Sequence, residues 1–364
     1  MRLASIITAF KADFLAQYES RILPSHRRAL SAMQHCRDPA GPKMQAVCGC
    51  CHHQVFMPHG CGHRNCPHCQ AHESQQWIER QLSKRLPADY FLLTFTLPAQ
   101  LRSLAWAHQR VIYDLLTRCA WETVHVFSRN DRRLQGTPGA TTVLHTHSRR
   151  LDYHPHVHLV IPGAAINPEQ RLWRTKRGKR RYLFSHKALA KVFRAKLLEA
   201  ITCVGLGLPN TYPEDWVVDC KAVGSGEKAI AYLGRYLYRG VIQEKDILAC
   251  ENGEVTFRYR DSKTKQWAYR TVSGAKFLWL IVQHVLPKGF RRARNYGLLH
   301  PNSKRLIRLI QYLLNLEISR YSSALIERPK LLCDCCGAAM KIVRTRIYPL
   351  PGHRLKDGAG APVM

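Results

Sequence analysis

Two short stretches of the sequence hold side chains that could do chemistry together. His154-Pro155-His156-Val157-His158 sets imidazoles at alternate positions, and Tyr232-Leu233-Gly234-Arg235-Tyr236 follows downstream. Successive side chains of a strand point to opposite faces, so His156 and His158 share one face, with His154 beside them. Imidazoles so arranged suit a single divalent cation. Residues four apart on a helix are neighbours, so the phenols of Tyr232 and Tyr236 can both approach one point. A cation that polarises a phosphodiester, next to a tyrosine that attacks it, would cut the strand and keep the product covalently attached. Arg235 and Arg239 flank the phenols where a phosphate would sit.

These side chains need a scaffold. Residues 1–34 predict helix, with Ile6, Ile7, Phe10, Phe14 and Leu15 on one side, and Ala71–Arg85 predicts a connecting helix. Tyr90–Leu97 reads as a buried strand stopped by Pro98, and Trp106–Phe127 as a long helix. Thr141–Thr146 and His154–Ile161 read as neighbouring strands joined by a polar turn. Leu183–Val204 and Gly226–Tyr238 read as helices on either side of a strand at Trp216–Cys220. Val255–Tyr259 and Trp267–Val272 form a hairpin pattern, followed by helices at Lys276–Val285 and Leu306–Ile326. This alternation predicts an α+β fold: an antiparallel sheet covered by helices on one face, plus a small zinc-ribbon-like module near the amino terminus. The implied divisions are 1–35, 36–75, 86–245, 246–330 and a cysteine-containing tail at 331–364.

The 364 residues carry 56 Lys+Arg against 25 Asp+Glu, a formal net charge of +31. A balance this basic, spread along the whole chain, points to a polyanionic partner, with nucleic acid the natural candidate. The densest run, Arg171–Arg181, includes Arg174, Lys176, Arg177, Lys179 and Arg180 around Trp173, a candidate stacking platform; Arg291 and Arg292 form another basic pair. No apolar run reaches the roughly 18–20 residues of a membrane span, and Lys11 with Asp13 argues against a signal peptide. The expected setting is the cytoplasm, on the nucleoid during action.

Fourteen cysteines in such a chain point to metal rather than disulfides. Cys48-x2-Cys51 and Cys66-x2-Cys69 are two knuckles at the spacing of a tetrahedral structural zinc site. Cys36, Cys50, Cys61 and His63 lie among them, each able to replace a nominal ligand or to help form a second site. Cys333-x2-Cys336-Gly337 is half a knuckle that would need a distant partner. Lys43 and Arg64 would let the module touch DNA.

The sequence resembles rolling-circle transposases of the insertion sequence 91 family, in the HUH endonuclease superfamily. The resemblance rests on CRDPAG at 36–41, CGCC at 48–51, CGHRNCPHCQ at 61–70, FTLP at 95–98 and VLHT at 143–146. It continues through YHPHVHLVIPG at 153–163, YLGRYLYR at 232–239 and QHVLPKGFRRARNYGLL at 283–299. His147-Ser148 stands where the family usually has Trp-Gly. The resemblance implies a zinc-binding module, His156 and His158 as ligands of Mg²⁺ or Mn²⁺, and Tyr232 and Tyr236 as paired nucleophiles. It also implies single-stranded DNA at element ends as substrate and a 5′-phosphotyrosine intermediate. His154 and His145 are the candidates for a third ligand. A plasmid relaxase or replication initiator would share the chemistry, and a non-catalytic zinc-ribbon DNA-binding protein would share only the charge and the cysteines.

Overall fold

The computed structural model describes residues 2–348 apart from 168, 171, 177–181, 239, 262 and 316–330. In chain order, α1 (Leu3–Tyr18) and α2 (Pro24–Gln34) precede the hairpin β1 (Lys43–Cys48) and β2 (Gln54–Pro58), then α3 (Ala71–Leu82) and β3 (Tyr90–Thr96). The expected long helix breaks at His108 into α4 (Arg102–Ala107) and α5 (Gln109–Asn130). β4 (Thr137–His147), β5 (Tyr153–Pro162), β6 (Ala164–Asn167) and β7 (Leu172–Thr175) follow. Next come α6 (His186–Cys203), β8 (Val218–Ala222) and α7 (Glu227–Tyr238). The remainder is β9 (Ile247–Glu251), β10 (Glu254–Arg260), β11 (Trp267–Ser273), α8 (Gly274–Val282), β12 (Ala293–Gly297), α9 (Lys304–Leu313) and β13 (Met340–Ile347). The expected continuation of α9 to Ile326 falls largely outside the described residues. No described helix is long and apolar enough to cross a membrane.

The central sheet runs β7-β6-β4-β5-β3-β8, with β12 also pairing β4, and every pairing is antiparallel. Helices cover both of its faces, not one. Phe91, Leu93 and Phe95 of β3, with Val157, Leu159 and Ile161 of β5, pack against α5 and α6. The alternate residues Tyr90 and Leu92, with Val143 and Val160, pack against α3 and α7. β3 therefore reads as a nearly unbroken apolar run because both its faces are covered.

The second face also holds the histidines expected to bind metal. His156 and His158 lie in phase with Val160, and His145 in phase with Val143, so these histidines share the face on which α7 lies. α7 buries Ala229, Ile230, Leu233 and Leu237 there. Its approach is set by Gly234, where a Cβ would stand 2.3 Å from Ile78 and 2.9 Å from Trp77 of α3. The Ser74 hydroxyl also donates to the Gly234 carbonyl at 2.9 Å. Gly234→Ala should force α3 and α7 apart, lowering thermal stability by about 1–3 kcal/mol as overpacking does. Denaturant unfolding reads that loss, and covalent capture of DNA should fall with it.

α1 and α2 do not stand apart from the later chain. Ile6, Ile7 and Phe14 share a core with Phe257, Phe277 and Ile281, because α8 is apolar nearly all round and its outer side needs a cover. β13 pairs antiparallel with β1, completing a three-stranded sheet β13-β1-β2.

Candidate active site and metal centres

His145 stands directly opposite His156 across the β4–β5 ladder, with His158 one pleat further on. A ring nitrogen from each of the three lies within 4.8 Å of the others. His154 is not among them, since Arg102 donates to its Nδ1 at 2.7 Å. The other rings are held from behind: His156 Nδ1 meets the His154 carbonyl at 2.7 Å, and His158 Nδ1 meets the Thr94 hydroxyl at 2.9 Å. Such bonds fix ring orientation and leave Nε2 available for a ligand. His145 Nε2 is buried with no hydrogen-bond partner. Burial pushes the His145 and His158 pKa values well down, and that of His156 to about 4, so all three are neutral near pH 7. Three converging neutral imidazoles, one with an orphaned nitrogen, fit a divalent cation.

The two tyrosines are not equivalent. The Tyr232 ring centroid lies 6.4 Å from those of both His145 and His158, and the side chain is 51% exposed. Tyr236 lies flat on the His145 ring, with centroids 3.3 Å apart and planes 11° from parallel, and His147 stacks alongside at 4.9 Å. Its hydroxyl is buried with no partner at hydrogen-bond geometry. The Arg292 guanidinium crosses the ring 4.8 Å from its centroid and only partly offsets the burial that raises this phenol's pKa. Burial raises the Tyr232 pKa too, with Arg149 pulling against it. Tyr238 points elsewhere, into a cavity of about 1040 Å³ lined also by Arg64, Arg291 and Arg292.

Tyr232 sits where two clefts meet. One, of about 470 Å³, is lined by His145, His147, His154 and His156 with Arg102, Arg149 and Arg150 against Asp152 and Asp261. The other, of about 550 Å³, carries Arg149, Lys228, Arg235, Lys245, Arg258 and Arg260 against the single acid Asp246. Tyr259 and Trp267 line it as well, and the Arg258 guanidinium lies 4.6 Å over the Trp267 ring. Apart from Arg235, sequence reading missed this wall. Its signal was the alternation of basic and aromatic residues along β10 and β11.

Several expected DNA contacts sit differently. Lys176 is buried, its ammonium bonded to Asp131 and to the Leu183 carbonyl, so it is consumed inside the fold. Arg174 bonds Gln135 and Gln170, and Trp173 packs against the Leu298–Leu299 cluster near the start of β4. That end of β4 lies eight residues from His145, about 26 Å along a strand. Arg292 donates to the Leu144 and Leu237 carbonyls, bracing α7 against β4. Lys43 is buried, and Arg64 donates to the Phe290 carbonyl. Arg235 and Arg291 are exposed; Arg177, Lys179, Arg180 and Arg239 lie outside the described residues.

The cysteines form two tetrads rather than the expected Cys48–Cys51–Cys66–Cys69 set. Cys36, Cys61, Cys66 and Cys69 converge in one place, and Cys48, Cys51, Cys333 and Cys336 in another. The β1–β2 hairpin explains the separation. It holds the Cys48–Cys51 turn at one end, and β2 carries the chain about 16 Å the other way before Cys61. There His59 donates to the Pro42 carbonyl and Arg37 to that of His59, bringing Cys36 into range. Cys36 Sγ lies 3.4 Å from that of Cys69 and 3.5 Å from that of Cys66, while Cys61 and Cys69 are 3.8 Å apart. A tetrahedral zinc with Zn–S near 2.3 Å sets its sulfurs about 3.8 Å apart. His63 stays outside, its Nδ1 accepting from the Asn65 N–H, and Cys50 is exposed.

Residues 6–97 match the model of a "Transposase zinc-binding domain", and 139–205 with 206–306 match one described as "Putative transposase". The "Putative transposase y4qJ" of Sinorhizobium fredii is 30% identical over 81% of this chain and 79% of its own length. The transposase for insertion sequence element IS801 of Pseudomonas savastanoi pv. phaseolicola is 30% identical over 68% of this chain and 63% of its own. The conjugative relaxase TrwC complexed with a 27-mer DNA aligns over 62% of this chain and 74% of its own, at 13% identity and a TM-score of 0.26, too slight a likeness to bear an argument. With both models matched in order and a relative this similar over most of both lengths, the chain belongs to the insertion sequence 91 family of transposases.

Proposed function

We propose that this transposase nicks single-stranded DNA of the HUH type, with Tyr232 as the first nucleophile, and transfers the strand in rolling-circle transposition. The observation that carries the reading is one half-exposed phenol set over three converging neutral histidines at the meeting of two basic clefts. His145, His156 and His158 would hold Mg²⁺ or Mn²⁺, and when bound the cation would draw charge from a non-bridging phosphate oxygen. Arg149 and Arg235 would seat the flanking phosphates, while Tyr259 and Trp267 offer faces on which unpaired bases stack. The Tyr232 oxygen attacks phosphorus, and the bond to the 3′ oxygen of the preceding nucleotide breaks. The phenol gives up a proton and the departing oxygen gains one, leaving a 5′-phosphotyrosine and a free 3′-hydroxyl. The phosphodiester energy stays in the new ester, so rejoining needs no nucleotide triphosphate. The Cys36–Cys61–Cys66–Cys69 tetrad would hold the zinc of the amino-terminal module, which has too little apolar core to fold alone.

The test is covalent capture. Single strands of randomised sequence, labelled at the 3′ end, are incubated with the full chain and Mg²⁺ or Mn²⁺, then denatured. A labelled adduct that needs the cation, mapping by mass spectrometry to Tyr232, is the expected result. An adduct on a residue outside α7, or cleavage that survives excess chelator, would overturn the reading.

A further inference from the structure

The second cysteine tetrad joins parts of the chain that are 288 positions apart between Cys48 and Cys336. We propose that Cys48, Cys51, Cys333 and Cys336 bind a second zinc ion, one that completes a zinc ribbon out of an amino-terminal hairpin and a late segment. The zinc-binding match spans residues 6–97, which include Cys48 and Cys51 but not Cys333 or Cys336, so a site closed by the late pair goes beyond it.

The two half-sites are built alike. Cys48 N–H donates to the His53 carbonyl at 2.9 Å, and Cys333 N–H donates to the Ala338 carbonyl at 2.8 Å, five residues on in each case. Directly after the second cysteine of each pair the backbone turns left-handed, at His52 (φ 56) and at Gly337 (φ 70). A non-glycine residue held there is strained, which makes the His52 turn costly unless something fixes it. In both halves this turn lifts two thiols out of the same loop, and the halves face each other. Cys48 and Cys336 are 3.5 Å apart, as are Cys51 and Cys333, and all four sulfurs lie within 4.8 Å. Those separations are far beyond the roughly 2.05 Å of a disulfide and near the about 3.8 Å edge of a zinc tetrahedron.

The surrounding packing also calls for a tie. β13 lies on β1 with Met340 opposite Cys48 and Ile342 opposite Ala46; among the described residues the buried cluster there is Ala46, Cys48, Cys333 and Met340, with Val55, Met57, Leu331 and Ala338 partly buried against it. Residues 341–346 of β13 are exposed. A core that small does not hold a three-stranded sheet by apolar burial, and small sheets of this kind rely on a metal. Four thiolates and no other ligand type select zinc among the common divalent ions.

Elemental analysis of the purified full chain should find two zinc ions per molecule. Cys333→Ser with Cys336→Ser should lower that to one, and limited proteolysis should then cut within 331–348 while the rest of the chain stays intact. Wild-type protein provides a check that needs no variant to fold. Alkylated natively, Cys333 and Cys336 should stay unmodified until a chelator is added, whereas the exposed Cys203 and Cys335 react at once. One zinc per wild-type chain, two zincs in the double variant, or ready alkylation of Cys333 and Cys336 without chelator would each overturn the proposal. None of these readouts depends on DNA cleavage, so the nickase reading can fail while this one stands.

Discussion

Tyr232→Phe is expected to abolish covalent capture of DNA, a loss on the order of 10⁴-fold or more, because it deletes the attacking oxygen and little else. Tyr236→Phe should behave differently. Its hydroxyl is buried, and the nearby Arg292 guanidinium and His147 backbone meet it only outside good hydrogen-bond geometry, so little favourable bonding is lost with it. Removing it keeps the ring stacked on His145, so the variant should melt at the same temperature as the wild type or higher. First-strand nicking should persist within a few-fold. Strand transfer that requires a second tyrosine should fail, since Tyr236 must first leave its stack to act. Gel capture, thermal melting and a rejoining assay together separate these outcomes. Equal loss of first-strand capture in both variants would show that the inequivalence of the two phenols has no functional weight.

The second large effect is expected at the histidines. Changing His156 and His158 together to Ala leaves His145 alone, and a lone imidazole does not hold Mg²⁺ or Mn²⁺ at millimolar concentration. Cleavage should fall by on the order of 10³-fold or more, while filter binding of single-stranded DNA changes little, because the basic wall of β10 and β11 is untouched. Thr94→Val is the graded version. It removes the hydroxyl that holds His158 Nδ1 and should weaken metal affinity by about 10–100-fold. The shortfall should be recovered at higher metal concentration. Cleavage by the double histidine variant at the wild-type rate would remove the cation from the reaction.

Local periodicity made the site's parts legible. The alternation around His156 put both rings on one face, and the four-residue spacing put both phenols on one side of a helix; contacts between sequence neighbours decide such facts, whereas the docking of α7 on the histidine face is tertiary packing. The partner strand is a matter of register, and His145 became a specific neighbour only once β4 was seen to pair with β5 through that residue. The fate of the cysteines was less accessible still. Spacing favoured Cys66–Cys69 as the mate of Cys48–Cys51, but the direction of one hairpin sent the two pairs to different places. Basic composition also hid which residues of a run are free for a ligand. The run around Lys176 looks like a polyanion site, yet Lys176 itself closes a buried ion pair, and the exposed charge beside Tyr232 comes from Arg149, Lys228, Arg235, Lys245 and Arg260.

The pairing of β1 with β13 has a consequence for synthesis. At about 5–20 residues per second, the 288 positions from Cys48 to Cys336 take roughly 15–60 s to translate. For that interval β1 is an edge strand with no neighbour on one side, and the Cys48 and Cys51 thiols have no late partner. The proposed histidine–tyrosine site can assemble sooner, since its last helix, α7, ends at Tyr238. A nascent or prematurely terminated chain would then hold that site formed beside an unclosed edge, open to capture by another chain's strand. Pulse-labelled ribosome-bound chains arrested before and after Cys333 should differ in thiol reactivity at Cys48, which makes the order of closure directly observable.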